Sequence, residues 1–179
     1  MADEAMRKEL ALEHCRRVNE GDLDGLLRLY APDVRFEDPV GSGWKAGHAA
    51  FREHAGAAIA GHVYEDFAEP IGCQDGEHAA VQVTATMRFL PNGPLLARYG
   101  VVDPAADPET ARLRVRYVMF IRVGASGLIE EMRAFWGRTD ILTVEDGAGS
   151  AGDLAGAAGA DNTASSHLPP APAKSSQHP

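Results

Sequence analysis

Ala11, His14, Cys15 and Val18 recur at i, i+3, i+4 and i+7, which sets one apolar face along an α-helix. Gly21 suits its C-terminal stop, and Asp22 can cap a second helix that turns Leu23, Leu26, Leu27 and Tyr30 inward. Pro32 lacks a backbone N–H and is expected to end that helix. The period then drops to two. Val34, Phe36 and Asp38 share one strand face and Asp33, Arg35 and Glu37 the other. Asp38-Pro39-Val40-Gly41 closes the strand, because a residue before proline is pushed towards extended geometry.

A third helix is expected over about 48–60, with Phe51, Ala55, Ala58 and Ile59 inward. Strands follow. Val63, Glu65 and Phe67 alternate against Tyr64 and Asp66. Val81, Val83, Ala85, Met87 and Phe89 alternate against Gln82, Thr84, Thr86 and Arg88. Pro91-Asn92-Gly93-Pro94 marks a turn, a strand is expected over about 95–102, and 103–111 reads as a loop. Leu113, Val115, Tyr117, Met119, Ile121 and Val123 then face in while Arg112, Arg114 and Arg116 face out. Gly124-Ala125-Ser126-Gly127 is a hairpin turn, and a strand over 128–136 is expected to end the fold. Helices first and hairpin-linked strands after define an α+β class. The hairpin order makes the sheet mostly antiparallel, and a curved sheet that wraps a helix can enclose a pocket.

Composition draws the boundary of that unit. From residue 146 to 179 the chain is Ala, Gly, Ser, Pro and little else large, too poor in apolar surface to offset the entropy of ordering. The expected organisation is therefore one domain over 1–145 and a disordered tail over 146–179. The net charge of −9 argues against nucleic acid or an anionic membrane as partner, since both reward a basic face. Residues 1–145 hold 23 acids against 16 bases, so the folded part is acidic in its own right. No apolar run is long enough for a membrane span, and the charged start MADEAMRKEL is unlike a signal peptide. Cys15 and Cys73 form no CxxC, and no His/Cys cluster has zinc spacing. A cytoplasmic location and no metal are the expectations.

The chemistry lies in an anomaly of phase. Asp38 follows Val34 and Phe36, and Glu65 lies between Val63 and Phe67, so both acids occupy apolar-phase positions and should point inside the sheet. Burial raises a carboxyl pKa, and a second carboxylate nearby raises it further. One acid can then stay protonated while the other is ionised, the division that general acid and base work requires. The competing readings are an Asp38 that serves the Asp-Pro-Val-Gly turn and a Glu65 at a strand end exposed to water or turned outward by a one-residue slip.

His14 sits on the buried helix face, as a core histidine or a pocket group. Tyr30, Tyr117 and Trp136 can line a pocket and donate a hydrogen bond, or serve as core. Met87 and Met119 are core or substrate-facing filler. His48, His54, His62 and His78 are scattered without a ligand pattern. There is no GxSxG, no phosphate-cradling glycine loop and no nucleophilic cysteine context.

These residues carry a resemblance. Glu20-Gly21-Asp22-Leu23-Asp24, Leu29-Tyr30-Ala31-Pro32-Asp33, Glu37-Asp38-Pro39-Val40-Gly41 and the closing strand through Phe135-Trp136 resemble the ketosteroid-isomerase branch of the nuclear-transport-factor-2-like superfamily, over about residues 8–143. That resemblance implies a cone-shaped α+β fold, a strongly curved and mostly antiparallel sheet packed on the N-terminal helices. In true isomerases of that branch the aspartate of the EDP motif is the base, here Asp38. The two oxyanion donors would fall at His14 and Met119, and methionine cannot donate a hydrogen bond. A closer resemblance is to the epoxide hydrolase/cyclases of polyether ionophore biosynthesis, of the monensin and lasalocid type. It is carried by Ala11-Leu12-Glu13-His14-Cys15-Arg16-Arg17, Ala68-Glu69-Pro70, Phe89-Leu90-Pro91-Asn92-Gly93-Pro94-Leu95 and Phe135-Trp136-Gly137.

That resemblance implies an acid/base pair at Asp38 and Glu65, the positions already singled out by strand phase. It also implies ring closure of a polyepoxide polyketide-type small molecule without metal or organic cofactor, a homodimer, and a paralogous cyclase as a potential partner. Asp38 is assigned as base and Glu65 as acid, with the swap left open. The alternatives are an epoxide hydrolase that uses water, a non-catalytic pocket or partner-binding module, and an isomerase with His14 as donor.

Overall fold

The computed structural model describes residues 2–145; the expected disordered tail over 146–179 lies outside the described residues. Helix α1 (Glu4–Glu20) begins where the Asp3 carboxylate accepts from the Met6 N–H at 2.7 Å. It ends at Gly21, whose left-handed φ of 68° goes with its own N–H donating to the Val18 carbonyl and the Asp22 N–H donating to that of Arg17. Its buried face carries Ala11, His14, Cys15 and Val18, and also Arg7. The Arg7 guanidinium is satisfied by the carbonyls of Ala2, Gly76 and His78, so it fastens the start of the helix to the sheet. Helix α2 (Leu23–Arg28) is capped by Asp22, which accepts from the Gly25 N–H at 2.8 Å.

Helix α2 stops earlier than periodicity suggested. Tyr30 already belongs to strand β1 (Tyr30–Glu37), and Pro32 lies inside that strand rather than terminating the helix. The strand tolerates it because the pairing of β1 with strand β7 (Ile129–Phe135) is irregular between Tyr30 and Arg35, where no ladder N–H is needed. Strand β2 (Lys45–Ala46) pairs with β1, and helix α3 (Gly47–Ala60) follows. Strands β3 (Tyr64–Phe67) and β4 (Ile71–Gly72) both pair with β5 (His78–Arg88). The 12-residue β6 (Arg112–Val123) completes a long hairpin with β5.

The expected strand over 95–102 is instead a short helix, α4 (Gly93–Arg98). Pro94 occupies its first turn, where a missing N–H costs nothing, and the apolar content that suggested a strand is split between half-buried Leu96 and exposed Leu95 and Tyr99. Nor does the strand ending near Trp136 close the fold. A turn in which the Gly137 N–H donates to Asp140 leads into β8 (Ile141–Val144), which pairs with the first third of β6.

The sheet runs β2-β1-β7-β6-β5-β3, with β4 beside β5 and β8 beside β6. All pairings are antiparallel except β1 with β7. The β5–β6 hairpin is the spine, and its two ends have different neighbours, so the sheet is open and curved. Helices α1 and α3 pack on the concave side. The core between them is dominated by Tyr30, Phe36, Phe51, Met119 and Ile129, all almost without solvent exposure. Tyr30, Phe36 and Phe51 meet ring to ring at centroid distances of 4.2 and 5.2 Å. Among the described residues no helix is long and apolar enough to cross a membrane. Cys15 and Cys73 are free.

Candidate active site

Glu65 enters from β3, the last strand of the sheet path. On the side away from β5 its backbone is held by Asn19 of α1. The Asn19 amide donates to the Glu65 carbonyl at 2.8 Å and accepts from the Glu65 N–H at 2.6 Å, in place of a further strand. Alternation along β3 turns the carboxyl inward, where it is 5% exposed. Tyr117 of β6 donates its hydroxyl proton to Glu65 Oε1 at 2.5 Å, and the Cys15 thiol donates to the same carboxyl. Oε2 is buried without a protein partner among the described residues. Burial is the main influence and pushes this group up. The hydrogen bonds from Tyr117 and Cys15 pull it back, the charge of Asp38 raises it again, and it titrates at about 7.

Asp38 comes from the opposite wall, one residue past the end of β1 and before the cis peptide to Pro39. Its neighbour Glu37 was expected on the outward face but is buried, because the next turn folds back over it. Glu37 Oε1 accepts the N–H groups of Gly41 (2.9 Å) and Gly43 (3.3 Å), and Oε2 accepts from Arg133 at 3.0 Å. These donors, the Gly41 N–H foremost, hold Glu37 below its ordinary value. Gly41 and Gly43 have φ near +100°, which an L side chain rarely adopts, so this wrapping depends on glycine. The Val40 N–H adds a bond to the Ala134 carbonyl. Asp38 is thereby fixed at the lip of the sheet. Its Oδ1 accepts from Trp136 Nε1 at 2.7 Å, and its Oδ2 lies 3.0 Å from His54 Nε2.

His14 is the third polar group. Its Nδ1 lies 2.5 Å from the Tyr30 hydroxyl, deep in the core. That hydroxyl has no other described partner, so it donates to Nδ1, and the tautomer that follows carries its proton on Nε2. Burial drives the imidazole down to about 4 against the raising effect of Asp38, so it is neutral at physiological pH. Tyr117 and Tyr30 are both pushed well above the usual phenol range by burial and remain donors.

These groups converge on one cavity of about 60 Å³, lined by Asp38, Glu65, His14, His54 and Tyr117 among apolar walls that include Phe51, Met119 and Met132. Trp136 reaches the site through Asp38, and Tyr30 through His14. Met87 does not line this cavity: it pairs with Leu113 near the far end of the β5–β6 hairpin. His54, read in sequence as one of several scattered histidines, belongs to the site. The signal was present, since Phe51, His54, Ala55 and Ala58 follow i, i+3, i+4, i+7 on α3 and all four line the cavity. Among the described residues no group of His, Cys, Asp and Glu side chains is arranged to hold a metal ion.

A family model described as a SnoaL-like domain matches residues 11–132. The chain is 54% identical over 148 residues to epoxide hydrolase LasB of Streptomyces lasalocidi, covering 82% of this chain and 52% of that protein. It thus spans about half the length of this curated relative. A solved structure of SalBIII, an epoxide hydrolase/cyclase-like enzyme with a role in pyran ring formation in the polyether salinomycin, superposes with a TM-score of 0.66 at 33% identity, covering 79% of this chain and 98% of that one. The structure of Rv0760c from Mycobacterium tuberculosis superposes at 0.61 with 22% identity, over 80% and 99% of the two chains, a likeness of fold alone.

Proposed function

From the premise that the chain belongs to the SnoaL-like domain family, and to its epoxide hydrolase/cyclase-like group, we propose that it opens epoxides on a polyketide-type chain to form cyclic ethers, with Asp38 and Glu65 as base and acid. The observation that carries this reading is the contrast between two carboxyl groups on one cavity. Asp38 has a nitrogen donor at each oxygen, an arrangement that suits a carboxylate. Glu65 is buried, titrates at about 7, and keeps one oxygen unpartnered. Because Tyr117 occupies Oε1 as a donor, the proton of neutral Glu65 belongs on Oε2.

Asp38 takes the proton of a substrate hydroxyl as that oxygen attacks an epoxide carbon. The carbon–oxygen bond of the epoxide breaks, and Glu65 Oε2 gives its proton to the departing oxygen. Every atom of the substrate is kept, so the product is an isomer. The strained ring supplies the driving force, and the cavity contributes by holding the hydroxyl against the epoxide. Val18, Phe51, Met119 and Met132 offer the apolar surface that an alkyl chain needs and exclude competing water.

A second reading, hydrolysis, is favoured by size: a cavity of about 60 Å³ has room for a water molecule beside a small epoxide. The test is turnover of a hydroxy-bisepoxide model compound, followed by mass and by ring-sensitive NMR. Products of unchanged mass with a new ether ring support the cyclase. A gain of one water moves the assignment to hydrolase. No turnover across a series of such compounds overturns both.

A further inference from the structure

Asp38 is held from two sides, and the two holders differ. Trp136 lies just beyond β7 and reaches Oδ1. His54 lies on α3 and reaches Oδ2 from the other side of the cavity. The His54 ring also tilts against Phe36 at a centroid distance of 5.2 Å, and its side chain is 28% exposed, so it stands between the cavity and water. An ionised Asp38 requires a proton on the facing nitrogen. Neutral His54 meets this with its Nε2–H tautomer and charged His54 with both nitrogens protonated, so the hydrogen bond does not depend on the charge of the ring.

We propose that His54 is a positioning residue for ring closure: its Nε2–H fixes the Asp38 carboxylate in the plane and rotamer from which it takes the substrate's hydroxyl proton. This rests on the epoxide-opening reading given above. Without His54, Oδ2 is free to rotate towards water at the mouth of the cavity, with only the Trp136 bond left to hold the group. The base is then present but misaimed, which slows the chemical step more than it weakens substrate binding.

Three proteins and one substrate decide the matter. His54→Phe keeps a ring against Phe36 but cannot donate. His54→Gln offers an amide N–H at about the same reach and carries no charge at any pH. With a hydroxy-bisepoxide that the wild type cyclises, His54→Phe is expected to lower kcat roughly 10- to 100-fold with KM within about twofold. His54→Gln is expected to recover most of kcat at pH 6 and pH 8 alike. Melting temperatures of the three proteins identify any loss that is merely unfolding. A His54→Phe enzyme that melts with the wild type and retains its kcat overturns the proposal. So does a folded His54→Gln enzyme as slow as His54→Phe, which would mean that the ring or its charge, not the donor, matters. If the wild type itself makes no cyclic ether, the epoxide-opening reading fails first. In that case an unchanged Asp38 carboxyl 13C shift in His54→Phe overturns the positioning claim separately, and a moved one sustains it.

Discussion

The two walls of the cavity treat the same functional group in opposite ways. On the α1–β3 wall, Glu65 is sealed: a helix covers it, Asn19 clamps its backbone, and its polar neighbours Tyr117, Cys15 and His14 are held in their neutral forms by burial. On the β1–α3 wall, Asp38 is half-exposed and supplied with N–H donors. A carboxyl group deprived of water holds its proton more tightly, as Glu65 does. In the proposed acid/base pair the division of labour would then be set by the environment, since the two side chains differ by only one methylene.

The largest expected effect comes from cancelling the contrast outright. Asp38→Asn or Glu65→Gln should each lower kcat/KM on a hydroxy-epoxide by at least ~100-fold. The double variant should be little worse than the poorer single one, because the two groups act in one step. Additive losses in steady-state kinetics would mean that the acids work independently.

The sealed wall should also be visible in stability against pH. Glu65 titrates at about 7 in the folded chain against an ordinary 4.5, so the native state favours its protonated form. That contribution is fully present below about 4.5 and is lost as pH rises through about 7. His14 runs the other way. It titrates at about 4 against an ordinary 6.5, so its contribution is present above 6.5 and is lost as pH falls through about 4. Between these limits the two slopes oppose each other, and their combined contribution in the wild type should be nearly flat. Glu65→Gln leaves the His14 slope alone. Its unfolding free energy should gain up to ~3 kcal/mol relative to the wild type on going from pH 4.5 to pH 7.5. Urea unfolding at a series of pH values checks this, and parallel curves for the two proteins would contradict a sealed Glu65.

Tyr117→Phe sharpens the comparison on the sealed side. Losing the donor to Oε1 removes an influence that pulls Glu65 down, so the group should rise above about 7. The basic limb of the pH–rate profile should move up by about one unit, with kcat roughly tenfold lower from the lost orientation. The smallest effect belongs to the clamp. Asn19→Ala deletes two backbone hydrogen bonds at the open side of β3 and should cost about 1–2 kcal/mol in thermal unfolding, with Glu65 still in place.

Much of this arrangement could be read from local sequence, and the exceptions have physical causes. The inward turn of Glu65 follows from strand alternation and needs no knowledge of the partner strand. His54 follows an equally local rule, the helical face with Phe51, Ala55 and Ala58, which metal-ligand spacing does not register. Glu37 was misread because strand alternation is blind to a loop that folds back, and the Gly41 and Gly43 amides bury it. Tyr30 was placed on a helix and residues 95–102 in a strand for a common reason: short apolar runs fit both periods, and pairing with β7 or the start of α4 at Pro94 decided between them.

Sequence by itself determined the α+β order, the capped N-terminal helices, the long alternating strands and the inward phase of the two acids. Each of these is a consequence of backbone geometry within a few residues. Tertiary structure alone decided that Asp38 and Glu65 share one cavity, that Trp136 and His54 meet at the two oxygens of Asp38, and that Tyr30 sets the proton of His14. Those contacts join residues 16 to 98 positions apart. Their consequences for charge depend on how much water and how many donors each carboxyl keeps, a property of the packed interior that no stretch of sequence carries alone.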